Sequence, residues 1–122
     1  MSALSAGVCR TCITPPPGTD LAGYAARGGP ATGVHDDLFA TALVLKQDAA
    51  RCVLVSTDLI GLDRAAGTAI RAEIERETGI PPGQVMIVST HTHSGPTTDL
   101  FPAGMGRRDP VYLAWLRRAI AG

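Results

Sequence analysis

The residues best suited to chemistry in this sequence are His91 and His93, which are separated by a single threonine in the segment Thr90–Pro96. On extended backbone, side chains alternate between two faces, so both imidazoles of a His-x-His pair project to the same side. Two neutral imidazoles on one face can bind one Zn²⁺ ion. If the backbone curls, one ring can bind metal while the other binds substrate. The alternative is a pair of surface histidines on a loop.

Three carboxylates and the third histidine lie next to other apolar runs of the sequence. Asp58 ends the apolar run that precedes it, where a carboxylate can bind metal, orient a metal-bound histidine, or act as a general base. Its alternative role is that of an ordinary cap or turn residue. His35 and Asp36 stand before the next apolar run and can join such a site, or simply lead into a strand. The same choice applies to Asp37.

The three cysteines suggest neither a redox site nor a zinc ribbon. Cys9 and Cys12 have CxxC spacing, but they lie in a strand-like run rather than at a helix start, where a thiol pKa would be lowered. Cys52 supplies only a third thiolate, whereas a structural zinc site needs four ligands. We therefore expect all three thiols to be unpaired, buried and structural.

The elements that must position these residues follow from periodicity and turn residues. Apolar, β-branched runs predict strands over 8–14, 38–46, 51–57 and 84–89, and the second and third of these form a hairpin. Apolar residues at helical spacing predict an amphipathic helix over 63–78, capped by Asp63 and closed by Gly79. Asp109 and Pro110 predict the start of a second helix over 111–121. The stretches 14–37 and 91–108 are irregular.

Strand direction predicts where the reactive residues meet. Strand 51–57, helix 63–78 and strand 84–89 form a β-α-β unit, so its two strands should be parallel. The hairpin and the first strand should run antiparallel to their neighbours. The predicted fold is therefore α/β, a mixed sheet with a β-α-β crossover and flanking helices. One edge then collects the candidate site residues, namely His35, Asp36, Asp37, Asp58, His91 and His93.

Composition excludes several functional classes. The 122 residues allow one domain, and eleven basic against eleven acidic side chains give no net charge. That balance argues against a nucleic-acid partner or a polybasic membrane surface. No apolar run has the ~20 residues of a transmembrane helix. No signal peptide is visible near Met1, which makes the cytoplasm the default expectation.

Several blocks, in order along the chain, resemble the N-terminal part of the neutral/alkaline, non-lysosomal ceramidase family. The most specific is Thr90–Pro96, with the sequence THTHSGP. Four weaker blocks precede it: Ile13–Pro16, Leu21–Tyr24, Gly33–Leu38 and Leu54–Leu59. The resemblance implies a zinc enzyme whose metal-bound water attacks the amide carbonyl of ceramide, which releases sphingosine and a fatty acid.

Within that resemblance, His91 matches a zinc ligand and His93 matches a residue that contacts substrate and supports catalysis. The family's other zinc ligands, a second histidine, a glutamate and a tyrosine, come from much further along a longer chain. Residues 1–122 are therefore expected to be a single domain or N-terminal fragment of a larger catalytic domain that needs its downstream part. The alternatives are a non-catalytic fragment that binds metal or a partner, and a related zinc amidase with a different substrate.

Overall fold

A computed structural model describes residues 2–99 and 105–122. Four strands form one mixed sheet: β1 (Ser5–Cys12), β2 (Phe39–Gln47), β3 (Ala50–Thr57) and β4 (Val85–Ser89). Two helices accompany it, α1 (Arg64–Thr78) and α2 (Pro110–Ala121), and a single 3₁₀ turn over Pro82–Gln84 leads into β4. The α/β class is confirmed. Part of the predicted irregular stretch 91–108, residues 100–104, lies outside the described residues.

The sheet has the predicted topology. Its strand order is β1-β2-β3-β4, with β1 and β3 antiparallel to β2, and β4 parallel to β3 across the α1 crossover. The first strand begins and ends earlier than predicted, at Ser5 and Cys12 rather than residues 8 and 14. Ser5–Gly7 have weak strand propensity, but the end of β2 supplies backbone partners for them. At the other end, Ile13 N–H donates to Leu38 O at 2.8 Å, and the prolines then turn the chain away.

Both helices begin at the cap residues that the sequence indicated, and α1 also ends at the predicted glycine. The side chain of Asp63 accepts from Ala66 N–H at 2.7 Å, and Gly79 closes α1 in the left-handed region at φ 69°. Asp109 caps α2 through the backbone N–H groups of Val111 and Tyr112. The helices pack against one face of the sheet, where the buried core includes Val53, Val55, Ile70, Ile74 and Leu116. None of the described helices is long and apolar enough to cross a membrane.

Tyr112 ties α2 to the segment that follows β1. Its hydroxyl donates to Ile13 O at 2.6 Å, and both residues are buried. Burial raises the pKa of Tyr112 above its ordinary value, and nearby Cys12 acts in the same direction. The phenol therefore stays protonated and keeps its donor for this hydrogen bond. This contact fixes the start of the long loop that reaches the candidate site.

The opposite face of the sheet is apolar and open. Val8, Leu43, Leu54 and Met86 are in register across the four strands, and Val8 is 72% exposed, Leu54 40% and Met86 58%. Parallel strands with continuous apolar sequences are ordinarily covered on both faces. Here the described helices cover only one, which agrees with a piece of a larger domain.

The expectation of buried cysteines is wrong, because Cys9, Cys12 and Cys52 are all exposed. Cys9 and Cys12 lie on β1, which forms an edge of the sheet, and Cys52 lies on the open face of β3. An apolar strand sequence predicts burial only when both faces of the strand are covered. The expectation of free thiols is confirmed, since none of the three is in a disulfide.

Alkylation tests this arrangement directly. We expect a thiol reagent to modify all three cysteines of the folded, unreduced protein without denaturant, because each of the three residues is exposed. Intact mass spectrometry should show three additions at similar rates in native and unfolded protein. Modification that requires unfolding, or a missing pair of additions, would contradict the exposed and unpaired placement.

Candidate functional site at the carboxyl ends of the parallel strands

The candidate site is built where β3 and β4 end side by side. Thr90 N–H donates to Thr57 O, and His91 N–H donates to Leu59 O, both at 3.0 Å. These bonds extend the parallel pairing past the last residue of β4. They bring His91 to the same edge of the sheet as Asp58, as the strand-direction argument predicted.

His91 has a fixed ring with one available nitrogen. Its Nδ1 lies 2.7 Å from Ile60 O, and a carbonyl oxygen only accepts, so Nδ1 carries the proton. The lone pair of the neutral ring is then on Nε2. A backbone carbonyl that holds one imidazole nitrogen while the other faces outward is the arrangement that orients metal-binding histidines. His91 is exposed, so an ion can reach it.

Of the two backbone forms considered for the His-x-His segment, the structure has the curled one and not the extended one. β4 ends at Ser89, and His91 adopts φ 63°, in the left-handed region. The backbone N–H groups of Thr90 and His91 are held here by Thr57 O, at the end of β3, and by Leu59 O. The two imidazoles nevertheless remain close, with ring centroids 5.0 Å apart and an interplanar angle of 74°. The backbone therefore curls, and the rings meet edge to face rather than lying parallel on one side of a strand.

The long loop between β1 and β2 folds over the His91–Ser94 segment. Ala22 N–H donates to Gly95 O, and Thr97 N–H donates to Asp20 O, both at 3.0 Å, around an isolated bridge between Leu21 and Pro96. This short antiparallel contact joins two stretches that the sequence marks only as irregular. It is the reason that residues 21–27 reach His93.

His93 is enclosed by three residues of that loop. Tyr24 contacts the imidazole edge to face with ring centroids 5.2 Å apart, and the guanidinium of Arg27 donates from Nη2 to His93 O at 2.7 Å. Gly23, at φ 105°, lets the backbone approach His93 closely, since a Cβ built there would lie 2.5 Å from Cβ and Cγ of His93. His93 is partly buried as a result.

Asp58 is held by the backbone of the neighbouring strand. Its Oδ2 accepts from Phe39 N–H at 3.0 Å, and its own N–H donates to Phe39 O at 2.8 Å. Within residues 2–99 and 105–122, this is the only hydrogen bond of the Asp58 side chain. The structure thus brings Asp58 to the edge and gives it a structural partner. Its catalytic role stays a prediction.

His35 and Asp36 lie at the rim of a neighbouring cavity of about 400 Å³. His35 Nδ1 donates to Asp36 Oδ2 at 2.7 Å, and the two side chains are 98% and 87% exposed. The hydrogen bond to Asp36, reinforced by its negative charge, raises the pKa of His35. Thr92, Ser94 and Arg27 line the same cavity, so it adjoins the histidine segment. Asp37 instead accepts from the Thr14 hydroxyl at 2.8 Å and anchors the base of the loop.

The donor set fits zinc only in part. His91 offers a well-oriented nitrogen, and His93 lies beside it. In the described part of the chain, however, no group of three or more His, Cys, Asp or Glu side chains could hold a metal ion. A catalytic zinc site typically has three protein ligands and one water. The remaining ligands would therefore have to come from elsewhere.

Three site residues were not identified as such from the sequence: Gly23, Tyr24 and Arg27. A signal for the first two was present, since Leu21–Tyr24 is one of the blocks that carried the family resemblance. Arg27 had no signal, because a single arginine in a glycine-rich stretch has no periodicity or spacing that predicts a partner. The contact of His91 with the carbonyl of Ile60 could not be predicted from the sequence either, because every residue has the same backbone carbonyl.

A family model and several solved structures are similar to this chain. A family model described as neutral/alkaline non-lysosomal ceramidase, N-terminal, matches residues 5–102. Among solved structures, neutral ceramidase from Pseudomonas aeruginosa matches with a TM-score of 0.64 and 28% identity, as does a ceramidase complexed with C2. The match covers 79% of this chain but only 16% of each of those chains. No curated protein matches. The chain therefore belongs to the neutral/alkaline non-lysosomal ceramidase family.

Proposed function

We propose that this chain forms the histidine-bearing part of a zinc-dependent amide hydrolase that cleaves ceramide to sphingosine and a fatty acid. Family membership supports a ceramidase-type hydrolase. The observation that carries the zinc proposal is the His91 Nδ1 hydrogen bond to Ile60 O, which leaves Nε2 as the only free nitrogen of a rigidly held ring. A lipid amide is the substrate class that the related enzymes suggest.

The site residues of this chain would have different roles in the reaction. His91 would bind the metal through Nε2, because Nδ1 is already committed to the backbone. His93, whose ring centroid is 5.0 Å from that of His91, would hydrogen-bond the substrate amide or the oxyanion that develops on it. When bound, zinc acts as a Lewis acid and lowers the pKa of its water to about 7. Asp58 would keep the end of β3 in place beneath the site.

A second candidate function is a non-catalytic fragment that binds metal or a protein partner. The open apolar sheet face formed by Val8, Leu43, Leu54 and Met86 favours this reading, since such a face is suited to protein contact. A zinc amidase with another substrate is also compatible with the histidine geometry. Substrate assays on the longer enzyme separate these alternatives from ceramide hydrolysis.

Zinc titration monitored by imidazole NMR tests the metal proposal. We expect zinc to perturb the Nε2 resonance of His91 while the Nδ1 proton remains, because only Nε2 has a free lone pair. His91→Ala should remove the zinc response. His35→Ala is the matched control, since it deletes an exposed histidine at the same edge and should leave the response intact. A response centred on His35, or no response at His91 at millimolar zinc, would contradict the proposal.

A further inference from the structure

A tight turn presents two side chains to His93. Arg27 N–H donates to Tyr24 O at 3.1 Å, which closes the turn over residues 24–27. The turn places the guanidinium carbon of Arg27 5.4 Å from the centre of the Tyr24 ring. The cation and the aromatic ring therefore form one unit, in a range where they attract each other.

Arg27 binds the backbone of His93 across 66 residues of sequence. Its Nη2 donates to His93 O at 2.7 Å, and the arginine is partly buried there. A charged donor on a carbonyl at this distance makes a short, strong hydrogen bond. This bond fixes the peptide that carries the His93 side chain, and so it limits the directions in which the imidazole can point.

The imidazole of His93 contacts two other rings, those of Tyr24 and His91. The centroid of the His93 ring is 5.2 Å from that of Tyr24 and 5.0 Å from that of His91, with interplanar angles of 76° and 74°. Aromatic rings prefer such edge-to-face contacts at these separations. Successive contacts therefore connect four side chains, from Arg27 to Tyr24, from Tyr24 to His93, and from His93 to His91.

We propose that Arg27 is a positioning residue for His93, acting both through its hydrogen bond to His93 O and through Tyr24, whose ring contacts the imidazole. The positioning of His93 by Arg27 does not depend on the proposed function. Only the role of His93 toward a substrate rests on it. Attachment of the loop does not depend on Arg27, because Ala22–Gly95 and Asp20–Thr97 hydrogen bonds already hold it on the other side of Gly23. Loss of Arg27 should therefore disorder His93 while the loop stays docked.

The test compares Arg27→Gln with Arg64→Gln in the full chain by NMR. Arg64 is an exposed arginine at the start of α1 that makes no hydrogen bond to the histidine segment within the described residues, so it is a matched control for loss of one positive charge. We expect the nuclear Overhauser effects between the Tyr24 and His93 rings to be lost in Arg27→Gln and kept in Arg64→Gln. Hydrogen-exchange protection of the Ala22 and Thr97 amides should be unchanged in both. Unchanged ring contacts in folded Arg27→Gln would overturn the proposal.

A second pair of variants decides the question if Arg27→Gln does not fold. Tyr24 is 57% exposed, so Tyr24→Phe and Tyr24→Leu should both fold. Phenylalanine keeps the ring and should keep the His91–His93 ring contacts, whereas leucine should weaken them and increase the motion of the His93 ring. Equal His93 order in the two variants would overturn the role of Tyr24, and with it the proposal.

The zinc titration separates this inference from the proposed function. Arg27→Gln should leave the zinc response at His91 Nε2 intact, because Ile60 O rather than Arg27 holds that ring. Absence of zinc binding in the wild-type chain contradicts the proposed function without affecting the His93 contacts. Persistence of ordered His93 in Arg27→Gln contradicts the positioning role without affecting zinc.

Discussion

Residues 1–122 by themselves are expected to bind zinc weakly and to release no fatty acid from ceramide. The described residues supply one well-oriented nitrogen, that of His91, and no cluster of three ligands. Loss of most of a ligand set weakens binding steeply, because a deficit of ~4 kcal/mol already raises Kd about a thousandfold. His91 is exposed to solvent in the described part of the chain, whereas oxyanion stabilisation depends on a site that excludes water.

The measurement pairs zinc content after dialysis with fatty-acid release from a labelled ceramide. A longer polypeptide that extends residues 1–122 with the downstream part of a family catalytic domain should retain zinc and hydrolyse ceramide. In that polypeptide His91→Ala should abolish both, while His35→Ala should leave zinc content unchanged. Stoichiometric zinc and turnover by the 122-residue chain would show that a different set of residues builds the site.

Gly23→Ala is expected to cause a large loss of local order around His93. The new Cβ would lie 2.5 Å from Cβ and Cγ of His93 and 2.8 Å from its Cα, and the backbone at φ 105° disfavours any side chain. Neither His93 Cβ nor Cα is the end of a flexible side chain, so the loop itself must move. Strain and overpacking together should cost about 2–5 kcal/mol, either as lost stability or as an undocked loop.

Two other glycines of the same loop separate the effect of backbone strain from the effect of the steric clash with His93. Gly18 also has a positive φ, 90°, but a Cβ there meets nothing within 4 Å, so Gly18→Ala reports backbone strain alone. Gly28→Ala meets nothing within 4 Å and has no positive φ, so it should be nearly neutral. Urea unfolding gives the free energies, and the Tyr24–His93 ring contacts report docking. Equal effects of Gly23→Ala and Gly18→Ala would show that His93 does not approach Gly23 closely.

The secondary structure and topology were predictable because they depend on local patterns. Hydrophobic period, turn residues and helix caps identified all four strands and both helices, with the clearest agreement at Asp63 and Gly79. The β-α-β connection then fixed strand directions, and these placed Asp58 and His91 at one edge. The 3₁₀ turn at Pro82–Gln84 was missed, since three residues carry no periodicity.

Burial was less predictable, as the cysteines show. Their apolar neighbours indicated a core, but the tertiary structure covers only one face of the sheet and leaves β1 at its edge. Whether an apolar strand is buried depends on what packs against it. That information is not contained in the strand's own sequence.

The sequence alone determined which residues are candidates and at which edge they meet, because residue type and strand direction are local properties. Only the tertiary structure decided how their side chains are arranged relative to one another. Three features show this: the bend at His91, the hydrogen bond of its Nδ1 to Ile60 O, and the contacts of Arg27 and Tyr24 with His93. They depend on backbone carbonyls and on two irregular stretches that are far apart in sequence but meet in the fold. Carbonyl directions and loop packing follow from the assembled chain, because every peptide has the same carbonyl and only three-dimensional packing sets where it points.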